Sequence, residues 1–320
     1  FAASATVQAA GIFFGRNRGV DLVDAFQGEN AFYYSFYDQL LNATSWREGL
    51  QALHADTLSE APHVINAFRR FNIYQELIIG SLGRGLGTLA LDPAVFYCSC
   101  VFLAYGCGLL ALAGAAPRDS WSILLLGALY FANQESASNV SYMPPLRENC
   151  GIPFWFASCA ALQALHARWE AGRLAGPRVL LLLACTGLLL AWQFACFALL
   201  LQACAVFAAA LLGAAPWRFA AEVSWLYAAS AALSSALRFG DLWALRSLFF
   251  CASVAFAAAY CVSSKAGGAG QQGGGARGLA LPCGAFAGAF LAARGAARWL
   301  VARYDGEGAL QDDSHIFEFL

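Results

Sequence analysis

Glu29 stands at the head of an aromatic run, G-E-N-A-F-Y-Y-S-F-Y over 28–37, where Phe32, Tyr33, Tyr34, Phe36 and Tyr37 follow closely. A lone carboxylate beside aromatic rings can accept a proton and offset a developing cation. A second polar block, R-F-N-I-Y-Q-E over 70–76, supplies Arg70, Asn72, Tyr74 and Glu76, and a third, P-P-L-R-E over 144–148, sets Arg147 directly behind two prolines. Those prolines fix an extended backbone that cannot continue a helix. A guanidinium held rigidly there presents a fork of donors that suits a phosphate. Plainer uses exist for each block. Clustered aromatics anchor helices at a membrane interface, the charges of 70–76 can be solvated on a short helix, and Arg147 can pair with Glu148 or Glu135.

The rest of the chain says where these blocks must sit. Its 320 residues are 60% hydrophobic and 12% charged, where a soluble domain carries about a quarter charged residues. That composition predicts a polytopic membrane protein, and the alanine- and leucine-rich runs lack strand alternation, so the class is all-α. The net charge of −1 gives no reason to expect nucleic acid. Residues 1–93 are mostly polar and read as a first lumenal loop region with short amphipathic helices, the segment from Arg70 to Glu76 forming one of them. A transmembrane region over 94–302 follows, with eight apolar segments at 94–116, 120–132, 152–167, 179–191, 193–214, 217–237, 242–262 and 279–302. Trp192 and Gln193 mark a turn, since the apolar run from 179 to 214 is too long for one span. The chain starts at Phe1 and stops in H-I-F-E-F-L, with 303–320 read as the start of a truncated lumenal segment. It is therefore expected to be a piece of a longer protein.

The eleven cysteines lie singly along apolar runs, as at Cys185, Cys204 and Cys261, and behave as small hydrophobes. The Gly- and Gln-rich run 267–278 reads as a flexible linker. Orientation follows from charge. Arg168, Arg173 and Arg178 crowd one connection, and Arg218, Lys265 and Arg277 fall on the same side, which the positive-inside rule makes cytosolic. The region 1–93 and the loop 133–151 then face the opposite compartment, and each carries a glycosylation triplet, at Asn42 and Asn139.

Four strings, taken in order, carry a specific resemblance. G-E-N-A-F-Y-Y-S-F-Y, H-V-I-N-A-F-R-R-F-N-I-Y-Q-E-L-I-I, Y-M-P-P-L-R-E-N-C-G-I-P-F and A-W-Q-F-A-C-F-A-L-L-L-Q resemble the tryptophan C-mannosyltransferases of the dumpy-nineteen type. The resemblance runs over about 26–202. It implies a GT-C glycosyltransferase, a multi-pass helical bundle of the endoplasmic reticulum membrane whose active site faces the lumen. Its donor would be dolichyl-phosphate-mannose, with no further cofactor, and its acceptor C2 of tryptophan in W-x-x-W segments of secretory or membrane proteins. Glu29 matches the carboxylate before the family's Tyr-Tyr-Ser in the first lumenal loop, the position expected to be catalytic, and Arg147 matches the arginine of the Pro-Pro-Leu-Arg-Glu block. The chain departs from the family at Gly28 and Asn30, where a second acid and a methionine are usual, and at Asn133, Gln134 and Glu135, where Asn-His-Gly-Glu is usual.

The chemistry fits these residues. Indole is a weak carbon nucleophile, so the anomeric carbon needs a good leaving group, and the arenium intermediate must lose its C2 proton. Glu29 is the expected base. Arg147, with Arg70 as a second candidate, would hold the donor phosphate, while Tyr33, Tyr34, Asn72, Tyr74 and Glu76 are candidates to hold indole or sugar. No Asp-x-Asp pair or His/Asp cluster has metal-ligand spacing, so no metal is expected. Two rivals stay open at this level. Another glycosyltransferase using a lipid-phosphate sugar, for O-mannosyl or oligosaccharyl transfer, would share the early acid, and a transporter would share the many helices but would carry internal repeats.

The orientation is testable in sealed microsomes. A thiol placed at position 173 should react with an impermeant reagent from outside, and one at position 139 should be protected. The reverse pattern would invert the topology.

Overall fold

A computed structural model describes residues 26, 28–87, 92–115, 120–132, 147–266 and 276–304. These form helices α1 (Glu29–Asn42), α2 (Trp46–His54), α3 (Ala67–Arg70), α4 (Tyr74–Leu86), α5 (Pro93–Ala115), α6 (Ser120–Ala132), α7 (Glu148–Ala167), α8 (Ala175–Ala191), α9 (Ala195–Leu211), α10 (Trp217–Leu237), α11 (Trp243–Arg246), α12 (Leu248–Ala266) and α13 (Ala276–Tyr304). The architecture is all-α, and the one β-contact among the described residues is an isolated bridge between Asp56 and Ile65. Each of the eight apolar segments contains a helix, and the turn at 192–194 separates α8 from α9. Helix α5 is long and apolar enough over Pro93–Gly114 to cross a membrane, and Ala175–Ala191, Ala195–Leu211 and Leu248–Val262 are shorter apolar stretches.

Three sequence expectations are corrected. Residues 70–76 do not form one helix, because α3 ends at Arg70 and α4 begins at Tyr74. Phe71 is extended there (φ −123°, ψ 160°), and its ring packs 4.9 Å from Phe32 and 5.8 Å from Phe36. Burying that ring and Ile73 outweighs a continued helix. The segment 242–262 is broken as well, since Ser247 is extended (φ −64°, ψ 155°) and its Oγ accepts from the Phe250 amide at 3.2 Å, starting α12 afresh as an N-cap. At the linker, Ala276, Arg277 and Gly278 already belong to α13. The remaining linker residues, together with Pro144, Pro145, Asn139 and 305–320, lie outside the described residues.

The chain divides into two compact units, one of Phe1–Ala164 with Leu190–Gln193, the other of Leu165–Leu189 with Phe194–Leu320. In the first, α1 is buried on two sides. Its Tyr34 and Tyr37 join Phe26, Ile79 and the α5 residues Phe96, Tyr97 and Val101. Its Tyr33, Phe36 and Leu40 join Leu53, Phe68 and Ile73 from α2, α3 and the start of α4. Arg84 of α4 closes the far end of α1, where Nη1 donates to the carbonyls of Leu40 at 2.9 Å and Ala43 at 2.6 Å. These are among the last carbonyls of a helix, which lack intrahelical donors. A polar aromatic helix is thereby pinned at both its sides and its end.

In the second unit, small residues let helices approach closely. Ser224, Ala228, Ala231 and Ser234 of α10 and Ala252, Ala255 and Ala259 of α12 are buried, and these two helices pack together, as small residues allow in helix bundles. Phe207, Phe256 and Phe286 stack in series at 4.2 and 4.7 Å across α9, α12 and α13. Arg178 and Glu222 form a two-pronged ion pair at 2.5 and 2.7 Å between α8 and α10.

Two glycines of the first unit are required by geometry. Gly28 precedes α1 at φ 58°, ψ −125°, a conformation open essentially to glycine alone. Gly151 lies against Trp192, and a Cβ there would stand 2.9 Å from Trp192 Cβ and 3.1 Å from Cγ. Neither atom can move without moving the backbone of 192. Gly151→Ala is accordingly expected to destabilise the protein by about 1–3 kcal/mol, the range for overpacking. Gly85, exposed on α4 with open space around it, provides the control, since Ala there should be neutral or stabilising by up to about 1 kcal/mol. Thermal unfolding of both variants in detergent checks the contrast.

Candidate active site

Arg147 is the centre of the site. It occupies the turn before α7, where its carbonyl accepts from Cys150 at 3.0 Å and Gly151 at 2.9 Å. Its side chain is only 3% exposed. Nη1 donates to the Asn72 carbonyl and to the Ala191 carbonyl at 3.4 Å. The guanidinium lies over the Tyr33 ring, with Cζ 3.1 Å from its centroid, a cation–π contact strengthened by burial. Two donors remain, Nε and Nη2, and neither makes a hydrogen bond. Nε faces Glu29 Oε1 at 4.0 Å, and Nη2 faces Glu76 Oε2 at 3.6 Å. The bidentate edge of the guanidinium is thus flanked by two carboxylates without being consumed by either.

The two acids differ in setting. Glu29 is the first residue of α1, with 44% of its side chain exposed. Burial raises its proton affinity above the ordinary carboxylate range, Arg147 opposes this, and Glu148 adds to it. Glu76 lies in the first turn of α4 and is fully buried. Burial raises its proton affinity as well, against the pull of Arg147 and the hydrogen bond from Tyr97. A half-exposed carboxylate with strengthened basicity can both meet a substrate and take its proton. Glu76 has no such access.

The sequence candidates separate in space. Glu29, Tyr33, Asn72, Glu76 and Arg147 come together, Tyr33 through its ring and Asn72 through its backbone carbonyl. Tyr34 points elsewhere, its ring 4.9 Å from Phe26 and 5.4 Å from Tyr97 in the apolar core. Tyr74 is half-buried at the first position of α4. Arg70 lies at the surface, with Nε 2.8 Å from Glu60 Oε1, so the structure does not bring it to Arg147. Three residues beyond those candidates join the site. Gln75 Nε2 donates to Glu76 Oε1 at 3.3 Å, the Tyr97 hydroxyl donates to the same oxygen at 3.0 Å, and Trp192 Nε1 donates to Glu148 Oε1 at 3.3 Å. Gln75 was visible beside Glu76 in its block, whereas Tyr97 sits in an apolar run and Trp192 in a turn, with nothing local to mark either. Among the described residues, no three His, Cys, Asp or Glu side chains gather as metal ligands.

Comparison with known proteins places this geometry in context. The family model described as Dpy19, Q-cell neuroblast polarisation, matches residues 22–320. The C-mannosyltransferase dpy-19 of Caenorhabditis elegans is 30% identical over 258 residues, covering 71% of this chain and 37% of that protein. Its Caenorhabditis briggsae counterpart is 29% identical over 256 residues, with 71% and 37% covered. The protein C-mannosyl-transferase DPY19L1 of Homo sapiens is 28% identical over 256 residues, with 70% and 38% covered. The chain spans little more than a third of the length of these curated relatives.

Removing the central charge should expose its structural role. Arg147→Met leaves Glu76 buried without a cation, and breaking such a pair destabilises by about 3–5 kcal/mol. The deficit must shrink as pH falls. Burial already raises the Glu76 carboxyl in the wild type, and losing Arg147 raises it further, so the variant's extra penalty grows as pH climbs above the wild-type folded value and vanishes once Glu76 is protonated in both. Denaturant unfolding of wild type and variant across a pH series measures this, and a deficit that never shrinks as pH is lowered would contradict it.

Proposed function

The chain belongs to the Dpy19 family, and from that we propose that it forms the core of a C-mannosyltransferase, joining mannose from dolichyl-phosphate-mannose to C2 of tryptophan in W-x-x-W segments of secretory-pathway proteins. One observation carries the assignment of roles. The buried Arg147 keeps its Nε–Nη2 edge free of hydrogen bonds beside the half-exposed Glu29. A two-pronged donor edge matches a phosphate diester, which has two non-bridging oxygens to accept from it. Arg147 binds the donor phosphate, and Glu29, at the rim of the same group, meets the indole.

In the reaction, indole C2 attacks the anomeric carbon and the C–C bond forms as the bond to the phosphate oxygen breaks. The electron pair leaves with dolichyl phosphate, whose charge Arg147 neutralises. The arenium cation then loses its C2 proton to the Glu29 carboxylate, restoring the aromatic ring. No cofactor beyond the lipid donor takes part. Tyr33 already carries the guanidinium on one face, so it acts on the substrate through Arg147.

The setting in this reading is the endoplasmic reticulum membrane, with the first unit's site at the lumenal face. The helix over Pro93–Gly114 and the exposed Leu180, Leu183, Phe197, Leu201, Leu291 and Trp299 of the second unit support a lipid environment, since exposed apolar side chains on this scale are unfavourable in water. The exposure of Asn42 at the end of α1 is compatible with a glycan there.

The test is Glu29→Gln in the full-length protein. The amide keeps size and hydrogen bonding but accepts no proton, so transfer to a W-x-x-W peptide should fall by about a hundredfold or more, with donor binding nearly unchanged. Mass spectrometry of the peptide after incubation with dolichyl-phosphate-mannose reads the product. Transfer at the wild-type rate would remove Glu29 from the mechanism.

A further inference from the structure

Glu76 and Arg147 are opposite charges, both out of water, yet Oε2 and Nη2 stay 3.6 Å apart. That separation is too long for a hydrogen bond, and both atoms lack one. Attraction alone would close the gap. What resists it acts on the other carboxylate oxygen, where the Tyr97 hydroxyl donates to Oε1 at 3.0 Å and Gln75 Nε2 donates to Oε1 at 3.3 Å. Gln75 Nε2 also donates to Tyr97 Oη at 3.2 Å, so the three groups form a closed triangle. Tyr97 is itself immobilised, its ring 5.1 Å from Tyr37, 5.4 Å from Tyr34 and 6.4 Å from Phe26. Arg147 is tethered from its own far side by the Asn72 and Ala191 carbonyls.

We propose that Tyr97 and Gln75 are positioning residues that hold the Glu76 carboxylate back from Arg147, keeping the guanidinium edge able to take the phosphate of a lipid-linked sugar. The proposal rests on the function assigned above. A carboxylate and a phosphate compete for the same pair of donors. Without the tether, Glu76 closes onto Nη2, and the donor must displace a buried ion pair in order to bind. Glu76 supplies charge balance to Arg147 when no donor is present, and the tether keeps that balance from becoming a plug.

The experiment titrates full-length protein in detergent with dolichyl-phosphate-mannose. Tyr97→Phe removes one oxygen and keeps the packed ring, and it should weaken donor binding by about tenfold, the scale of one hydrogen bond to a charged group. Adding Glu76→Gln to Tyr97→Phe should restore affinity toward the wild-type value, because a neutral amide does not compete for the guanidinium. A residue that merely supports the fold predicts no such rescue. Gln75→Leu, which removes the second tether and leaves Tyr97 intact, should weaken binding in the same direction if Tyr97→Phe does not fold. Tyr97→Phe protein binding as tightly as wild type, or a double variant as weak as the single one, would overturn the tether. Wild-type protein that fails to bind the donor at all would instead overturn the assigned function, so the two failures are distinct.

Discussion

A guanidinium taken out of water loses several kcal/mol of hydration, and the first unit is organised around recovering it for Arg147. The partners come from helix ends. Ala191 is the last residue of α8, where carbonyls have no intrahelical donor, and its oxygen is available to Nη1 for that reason. Asn72 lies between α3 and α4, so its carbonyl is likewise uncommitted. The breaks at 71–73 and 192–194 are therefore part of the site. A chain that ran helically through either would take away a carbonyl to which Nη1 donates.

Three helices also begin at this place. Glu29 opens α1, Glu76 lies in the first turn of α4 and Glu148 opens α7. Helix N-termini carry partial positive charge and exposed amides, which favour carboxylates in their first turns and anions in front of them. The acids near Arg147 are thus doubly supported, by the guanidinium and by the helix to which each belongs. Gly28, in a conformation that admits a side chain only with strain, lets α1 begin where Glu29 reaches Arg147, and Gly151 lets the start of α7 lie on Trp192.

Much of this was legible in the sequence, and the remainder was hidden for specific reasons. Each of the eight apolar segments contains a helix, as apolar runs without strand alternation favour. The polar turn at Trp192 and Gln193 divided α8 from α9 as expected. The break inside 70–76 was not legible, since it depends on Phe71 finding Phe32 and Phe36, a contact across about 35–39 positions of chain that no local pattern encodes. Of the site, Glu29, Glu76 and Arg147 stood out because charge is scarce in so apolar a chain. Tyr97 did not, because a tyrosine in an apolar run looks like packing until its hydroxyl is seen against a carboxylate. Arg70 shows the converse, a charge that stood out in the motif and whose partner, Glu60, is an ordinary surface acid.

Two acids beside one arginine would ordinarily be interchangeable, and burial is what divides their labour. Glu76 is sealed behind Tyr97, Gln75 and Arg147, so it can balance charge but cannot reach an acceptor. Glu29 is held by Arg147 more loosely, at 4.0 Å, and keeps 44% of its side chain exposed. Desolvation strengthens its basicity without sealing it from the surface. Arg147 opposes in both acids the rise in proton affinity that burial causes. Charge at the centre, access at the rim and neutral hydrogen-bonding groups behind are three separate features of the proposed site. The fold supplies them with residues from four helix ends.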